Sequence, residues 1–427
     1  MRKCLLGLIL FALVLCPLRG HAEMGVLDNV PAATLLLPYF EVDLANPNGI
    51  TTLFSVNVGE ASAYLVQVTL WSDLGIPTQA FNIYLTGYDT QTVNLRDIFN
   101  GVFPATASAG QDPTDTSNPN DGISNKGPIS QDINFASCNG ILPYAIPAIS
   151  PQQISDLRSA HTGLASSLSG QCAGRRFGDN IARGYITIDS TSQCVSHIVS
   201  LFPSNPGYFI SGGGGVANNR NELWGDYTLV NPGQNFAQSE SLVALEASAT
   251  AFVPGDYTFY SRFVANTAAD NREPLATNWA APYAQHGGDG TNTDLLVWRD
   301  STVANVNQFQ CFLLGPSQFF PLNLTDIVAF DSEENPTDIT FSPPELPPFP
   351  GVAERVRVGG PGLSQVSPRS GWLYLNLNTA VPGGLVPPGV SQSYVTVIRS
   401  SQGRFSGGHS GIPLDDANDP ILFPIFP

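Results

Sequence analysis

The stretch ITTLFSVNVGEASAYLVQVTLWSDLGIPTQAFNIYLTGYDTQTVNLRDI, residues 50–98, decides how this chain is read. Residues 50–56 and 64–71 are rich in Val, Thr, Phe and Tyr with partial apolar–polar alternation. Such side chains pack well on a pleated surface, so both runs are expected to be strands. Residues 57–61 carry Gly and Glu and read as the turn between them. SDLGIPT (72–78) supplies Asp, Gly and Pro, which break the run. Residues 81–85 and 90–95 make two further strands, turned around residues 87–89. Short strands at this spacing point to an antiparallel sandwich.

The pattern returns in the second half of the chain, in the same order and at similar spacing. Trp71-Ser72-Asp73 matches Trp298-Arg299-Asp300. FNIYL (81–85) matches FQCFL (309–313), and NLRDI (94–98) matches NLTDI (323–327). TLF (52–54) falls opposite TNW (277–279), and GYITID (184–189) opposite GWLYLN (371–376). NFA (235–237) falls opposite RFS (404–406). The expected fold is mainly β: two related antiparallel β-sandwich (Ig-like) halves from an internal duplication. The matched Trp and Phe positions are expected to be core anchors, because buried aromatics dominate such cores.

Working outward, residues 1–22 read as an export signal: Arg2 and Lys3 precede an apolar run, and Gly20-His21-Ala22 offers small residues for cleavage. The first half then spans 23–250, with a loop and helix insert at 101–174, and the second spans 251–427, with a Pro-rich linker at 342–351. In the insert, Ser150, Pro151 and Gln153 form a helix start with a capping box. Ile154, Leu157, His161, Leu164 and Leu168 line one face, and Gly170 is expected to end the helix. Residues 34–40, TLLLPYF, form an opening strand whose Pro38 suits an edge position. No other segment is long and apolar enough to span a membrane. ILFPIFP (421–427) is expected to dock on the fold or to add to a partner's sheet edge.

Without Arg2, Lys3 and Arg19 the chain keeps 15 basic residues of 18 against 35 acidic ones, a net charge near −20. Such a surface repels phosphate backbones, which argues against nucleic-acid binding. Cys138, Cys172, Cys194 and Cys311 remain after the signal, an even number that suggests disulfides in an exported chain. Of three connectivities, Cys138–Cys172 with Cys194–Cys311 is the preferred one.

Calcium is the one cofactor with a candidate site. Asp112, Asp115, Asn118, Asn120 and Asp121 cluster in DPTDTSNPNDG (112–122), offering hard oxygen ligands. The spacing departs from the EF-hand, and a solvated loop is the competing reading. GGDGTNTD (287–294) is a weaker second candidate, read first as a hairpin turn. His409-Ser410 in GGHSGI lacks the final Gly of a nucleophile elbow, and His161 reads as a core residue. Glu222, Asp226, Glu240 and Glu246 around Trp224 read as ordinary acids rather than a catalytic pair.

LLPYFEVDL (36–44), TTLFSVN (51–57), FNIYLTGYD (81–89) and GYITID resemble uncharacterised secreted proteins of Gram-negative bacteria. The resemblance implies export and no catalytic residues. The functional expectation is an exported, periplasmic or extracellular, non-enzymatic surface, adhesive or scaffold protein, with a protein or glycan partner at the cell surface. A carbohydrate-binding module and a secreted hydrolase are the alternatives.

Overall fold

The computed structural model describes residues 30–60, 64–85, 87–104, 148–192, 202–209, 216–247, 257–264, 270–285, 290–301, 309–310, 324–340, 349–367, 369–379, 391–401 and 403–415. Its first strands are β1 (Thr34–Asp43), β2 (Thr51–Val58), β3 (Tyr64–Ser72), β4 (Pro77–Leu85) and β5 (Thr90–Asn94). After two helices come β6 (Gln171–Cys172), β7 (Ile181–Thr191), β8 (Leu223–Asn231), β9 (Phe236–Ser241) and β10 (Val243–Leu245). The second half runs β11 (Asn278–Ala284), β12 (Thr291–Ser301), β13 (Phe309–Gln310), β14 (Leu324–Asp331) and β15 (Pro336–Asp338). It closes with β16 (Ala353–Arg357), β17 (Ser370–Thr379), β18 (Ser391–Ser401), β19 (Phe405–Ser410) and β20 (Ile412–Pro413).

Each half is two antiparallel sheets, as the mainly β reading expects. The first half orders its strands β10-β1-β7-β3-β4 and β5-β2-β8-β9. The second orders them β20-β11-β17-β14-β15 and β16-β12-β18-β19. Among the described residues, the nine sheet strands of one half, taken in chain order, map one-to-one onto those of the other. A short β6–β13 ladder joins the halves.

The register agrees with this mapping. Gly184 of β7 lies opposite Phe40 and Ser72, and Gly371 of β17 opposite Tyr283 and Asp331. One residue on, Trp71 pairs with Tyr185 and Phe330 with Trp372, both as stacked rings. The hydroxyl of Thr52 accepts from the Glu41 N–H and donates to the Glu41 carbonyl. Thr293 does the same for Ala284. Pro38 on β1 recurs as Pro282 on β11, and the register shift in β1 then makes Phe40 the counterpart of Tyr283.

Several sequence expectations are corrected. Trp71 lies on β3 and Trp298 on β12, which are not corresponding strands, so that match does not hold. The rings nevertheless share one core, both packing on Tyr185 at 5.5 and 5.9 Å. Asn94 caps helix α1 (Leu95–Phe99), its side chain accepting from the Arg96 N–H, whereas residues 324–327 of the matched run are strand. β1 is interior, between β10 and β7, and Pro38 falls where its register shifts, which spares the ladder a missing donor. The capping box at Ser150 and Gln153 is present, but helix α2 (Pro151–Thr162) stops early. Gly163 takes the left-handed conformation (φ 69°), leaving Leu164 and Leu168 exposed instead of on an apolar face.

The halves interlock through buried polar contacts. Arg175 bridges Asp73 (2.7 Å) and Glu354 (3.0 Å), and Arg262, paired with Asp300 (2.7 Å), donates to the Gly75 carbonyl of the first half (2.9 Å). Asp189, buried on β7, accepts from Thr34, Tyr208 and Tyr260 hydroxyls. A buried carboxylate is tolerated only with such partners.

Candidate functional site

Where the halves meet, a groove of about 620 Å³ opens to solvent. The first half contributes the 3₁₀ turn Pro232–Gln234, Asn235 and Phe236, which follow β8. The second contributes Asn292 from β12, Arg355 and Arg357 from β16, Ser400 from β18, and Gly403 and Phe405 around β19. Asn235 can sit at φ 48° because short polar side chains tolerate the left-handed region, and its amide donates to the Gly403 carbonyl at 2.8 Å. The Ala237 N–H and carbonyl both bond the Ser406 hydroxyl, at 3.0 and 2.7 Å. These bonds fix the two walls relative to each other.

Two of the lining residues, Arg355 and Arg357, belong to an ion-pair network that lies behind the groove. Arg355 places Nε and Nη2 on Asp294 Oδ2 at 3.0 and 2.6 Å, and Nη1 on Glu41 Oε2 at 3.0 Å. Arg357 gives Nε to Asp294 Oδ1 at 2.9 Å, and its side chain is 52 % exposed. Burial alone would raise the Asp294 carboxyl, but Arg355 and Arg357 hold it below the ordinary carboxylate range. Burial would lower the Arg355 guanidinium; Glu41 and Asp294 outweigh it and raise it.

Asp294 is therefore a fixed anion with both oxygens occupied, not an acid poised to exchange protons near neutral pH. The groove instead offers hydrogen-bonding groups and one ring. Phe236 and Phe405 hold corresponding positions on β9 and β19. Phe236 is buried beside Arg355, whose guanidinium lies 5.6 Å from the ring centre, whereas Phe405 is 53 % exposed in the groove. The NFA–RFS match already paired these residues, but nothing in the sequence marked Phe405 as the exposed one. Arg355 and Arg357 carried no signal, because their pairing with Asp294 joins strands distant in sequence.

Other expected groups are placed as follows. Asp112, Asp115, Asn118, Asn120 and Asp121 lie outside the described residues, as do Cys138, Cys194 and Cys311. Cys172 is buried and disulfide-bonded. Among the described residues no cluster of three or more His, Cys, Asp or Glu could hold a metal ion. Of the second calcium candidate, Asp294 is committed to its arginines. His161 is a core residue bonded to the Thr78 hydroxyl (2.7 Å) and the Arg183 carbonyl (2.8 Å), and burial lowers its pKa to about 4. His409 is exposed and bonds the Ser410 carbonyl. Glu240 accepts from the hydroxyls of Tyr227, Tyr394 and Thr396, and burial raises its carboxyl. Asp226 bonds the Ser55 hydroxyl. Among the described residues no helix is long and apolar enough to cross a membrane.

Comparison with protein-family models, with curated proteins and with solved structures finds no match.

Proposed function

We propose that this chain is an exported, non-enzymatic surface, adhesive or scaffold protein that seats a protein or glycan partner in the groove between its halves. The observation that carries the reading is the composition of that groove. Both halves supply its walls, an exposed phenyl ring and a half-exposed guanidinium face solvent, and no carboxylate is among its described lining residues, Asp294 being bound behind Arg355 and Arg357. Such a surface recognises a polar chain and lacks a free acid–base pair to cleave it. The shared strand order supports an internal duplication of an Ig-like unit, with the groove arising where the copies join. The signal-like residues 1–22 and the acidic composition support a periplasmic or extracellular location.

The test uses the tagged full-length chain, with co-purification from its native cells and binding to a glycan array as two arms. Phe405→Ala and Arg357→Ala should each weaken capture about tenfold, the size of an interface hot spot. Their melting temperatures should stay close to that of the unaltered chain, since both side chains are half exposed. A partner held equally well by both variants would remove the groove from the proposal.

A further inference from the structure

The charge of the groove runs against that of the chain. The whole sequence has 18 Lys and Arg against 35 Asp and Glu, yet the described lining of the groove holds Arg355 and Arg357 and no acid. The acids that pair with them are sunk: the Glu41 and Asp294 side chains are 10 % and 3 % exposed. Arg357 gives only its Nε to Asp294. A guanidinium has five donors in a planar fork and no acceptor, so the outer edge of this half-exposed side chain is left to solvent.

The pattern continues beyond the groove. Arg355 shares Glu41 with Arg183, whose Nε lies 3.9 Å from the other carboxylate oxygen. The Phe177 ring carries the Arg183 guanidinium at 4.5 Å and that of Arg175 at 4.9 Å. These contacts prop the loop GRRFGDN, residues 174–180, whose Arg176 is exposed. Among the described residues Arg176 pairs with no acid. Asp179 of the same loop is already clasped by both Nη atoms of Arg183, each at 2.8 Å. Two exposed guanidiniums, Arg357 and Arg176, therefore end one chain of contacts that runs through Arg355, Glu41 and Arg183.

We propose, resting on the groove reading above, that the ligand is an extended carboxylated glycan, a run of uronate sugars. One carboxylate takes the Arg357 fork and a later one along the chain takes Arg176. The planar fork matches the two oxygens of a carboxylate, which a lone cation does not. Phe405 gives the apolar face of a sugar ring a surface to lie on. Gln234, Asn292 and Ser400 bring amides and a hydroxyl, which donate and accept as sugar hydroxyls do. An acidic peptide strand would need free backbone groups on the rim. The Ala237 N–H and carbonyl are already taken by Ser406.

Calorimetric titration of the full-length chain with oligomers of galacturonate, glucuronate and mannuronate, and with their methyl esters, tests the class. At least one acid should bind, and its ester at least about tenfold more weakly. Added salt should weaken the acid and not the ester. Arg357→Gln and Arg176→Gln should each lower affinity for the acid about tenfold and leave the ester's unchanged, with melting temperatures close to that of the unaltered chain. Equal binding of acid and ester overturns the carboxylate assignment, as does binding of no acid in the panel. Polyglutamate bound as tightly as the uronate overturns the glycan class. An Arg176→Gln chain that binds like the unaltered one overturns the extended register. None of these outcomes touches the groove itself, which fails separately if Phe405→Ala still captures the native partner at full strength.

Discussion

Gly184 and Gly371 stand at the same register point of corresponding strands, and at each a Cβ would collide with the carbonyl oxygen of the aromatic residue across the ladder. That residue is Trp71 in one half and Phe330 in the other. The obstacle is backbone, so it cannot swing away as a side chain would. Gly184→Ala and Gly371→Ala should each cost about 2 kcal/mol, the usual size of core overpacking. Chemical denaturation of the two single variants measures this; a neutral Gly371→Ala would break the correspondence between β7 and β17.

The hydroxyls of Thr52 and Thr293 each serve a backbone N–H and carbonyl on the preceding strand, buried at Glu41 and partly buried at Ala284. Valine keeps the shape and removes both bonds, leaving those backbone groups unsatisfied. Thr52→Val and Thr293→Val should each destabilise by about 1–3 kcal/mol. Urea unfolding of both should give similar losses; a large loss at one site and none at the other would show that the two turns are not alike.

His161 is buried and its folded pKa is lowered to about 4, against an ordinary value near 6.5. The unfolded chain therefore binds the proton first as pH falls. Stability from this group is complete above pH ~6.5 and is lost progressively down to pH ~4, by up to roughly 3 kcal/mol. Unfolding free energies measured across that window should slope downward on acidification, and the His161→Gln variant should flatten that slope. An identical slope in the variant would assign the acid sensitivity elsewhere.

Arg355 ties β16 to both Asp294 and Glu41, and so ties the second half to β1. Arg355→Met removes the ion pair to Glu41 and both bonds to Asp294 Oδ2 at the junction, and should cost about 3 kcal/mol, as breaking buried ion pairs does. Arg357→Met should cost much less, because that side chain is half exposed. Thermal melts of the two variants rank them, and an Arg355 variant no weaker than the Arg357 one would contradict the assigned geometry.

Local chemistry was the legible part of the sequence. Ser150 and Gln153 announced a helix start because capping needs only neighbours in sequence, and GYITID against GWLYLN found corresponding strands correctly. The Trp71–Trp298 match failed because apolar strands share one vocabulary, and a Trp on β3 reads like a Trp on β12. Pro38 and Pro282 are a truer match, but one residue in unlike flanks is a faint signal. Gly163 was passed over as a helix stop because the apolar spacing of Leu164 and Leu168 continued past it. The groove was invisible: Arg355 meets Glu41 across 314 residues, a pairing that only the sheet order creates.

β9 and β19 are the outermost strands of their respective sheets, and Ser406 satisfies the outward N–H and carbonyl of Ala237. A bare rim of this kind invites a stranger's strand to zip on and start a fibre. Here each copy's vulnerable margin is turned toward its sibling, so the joint that shapes the groove also guards the protein against self-polymerisation along that margin.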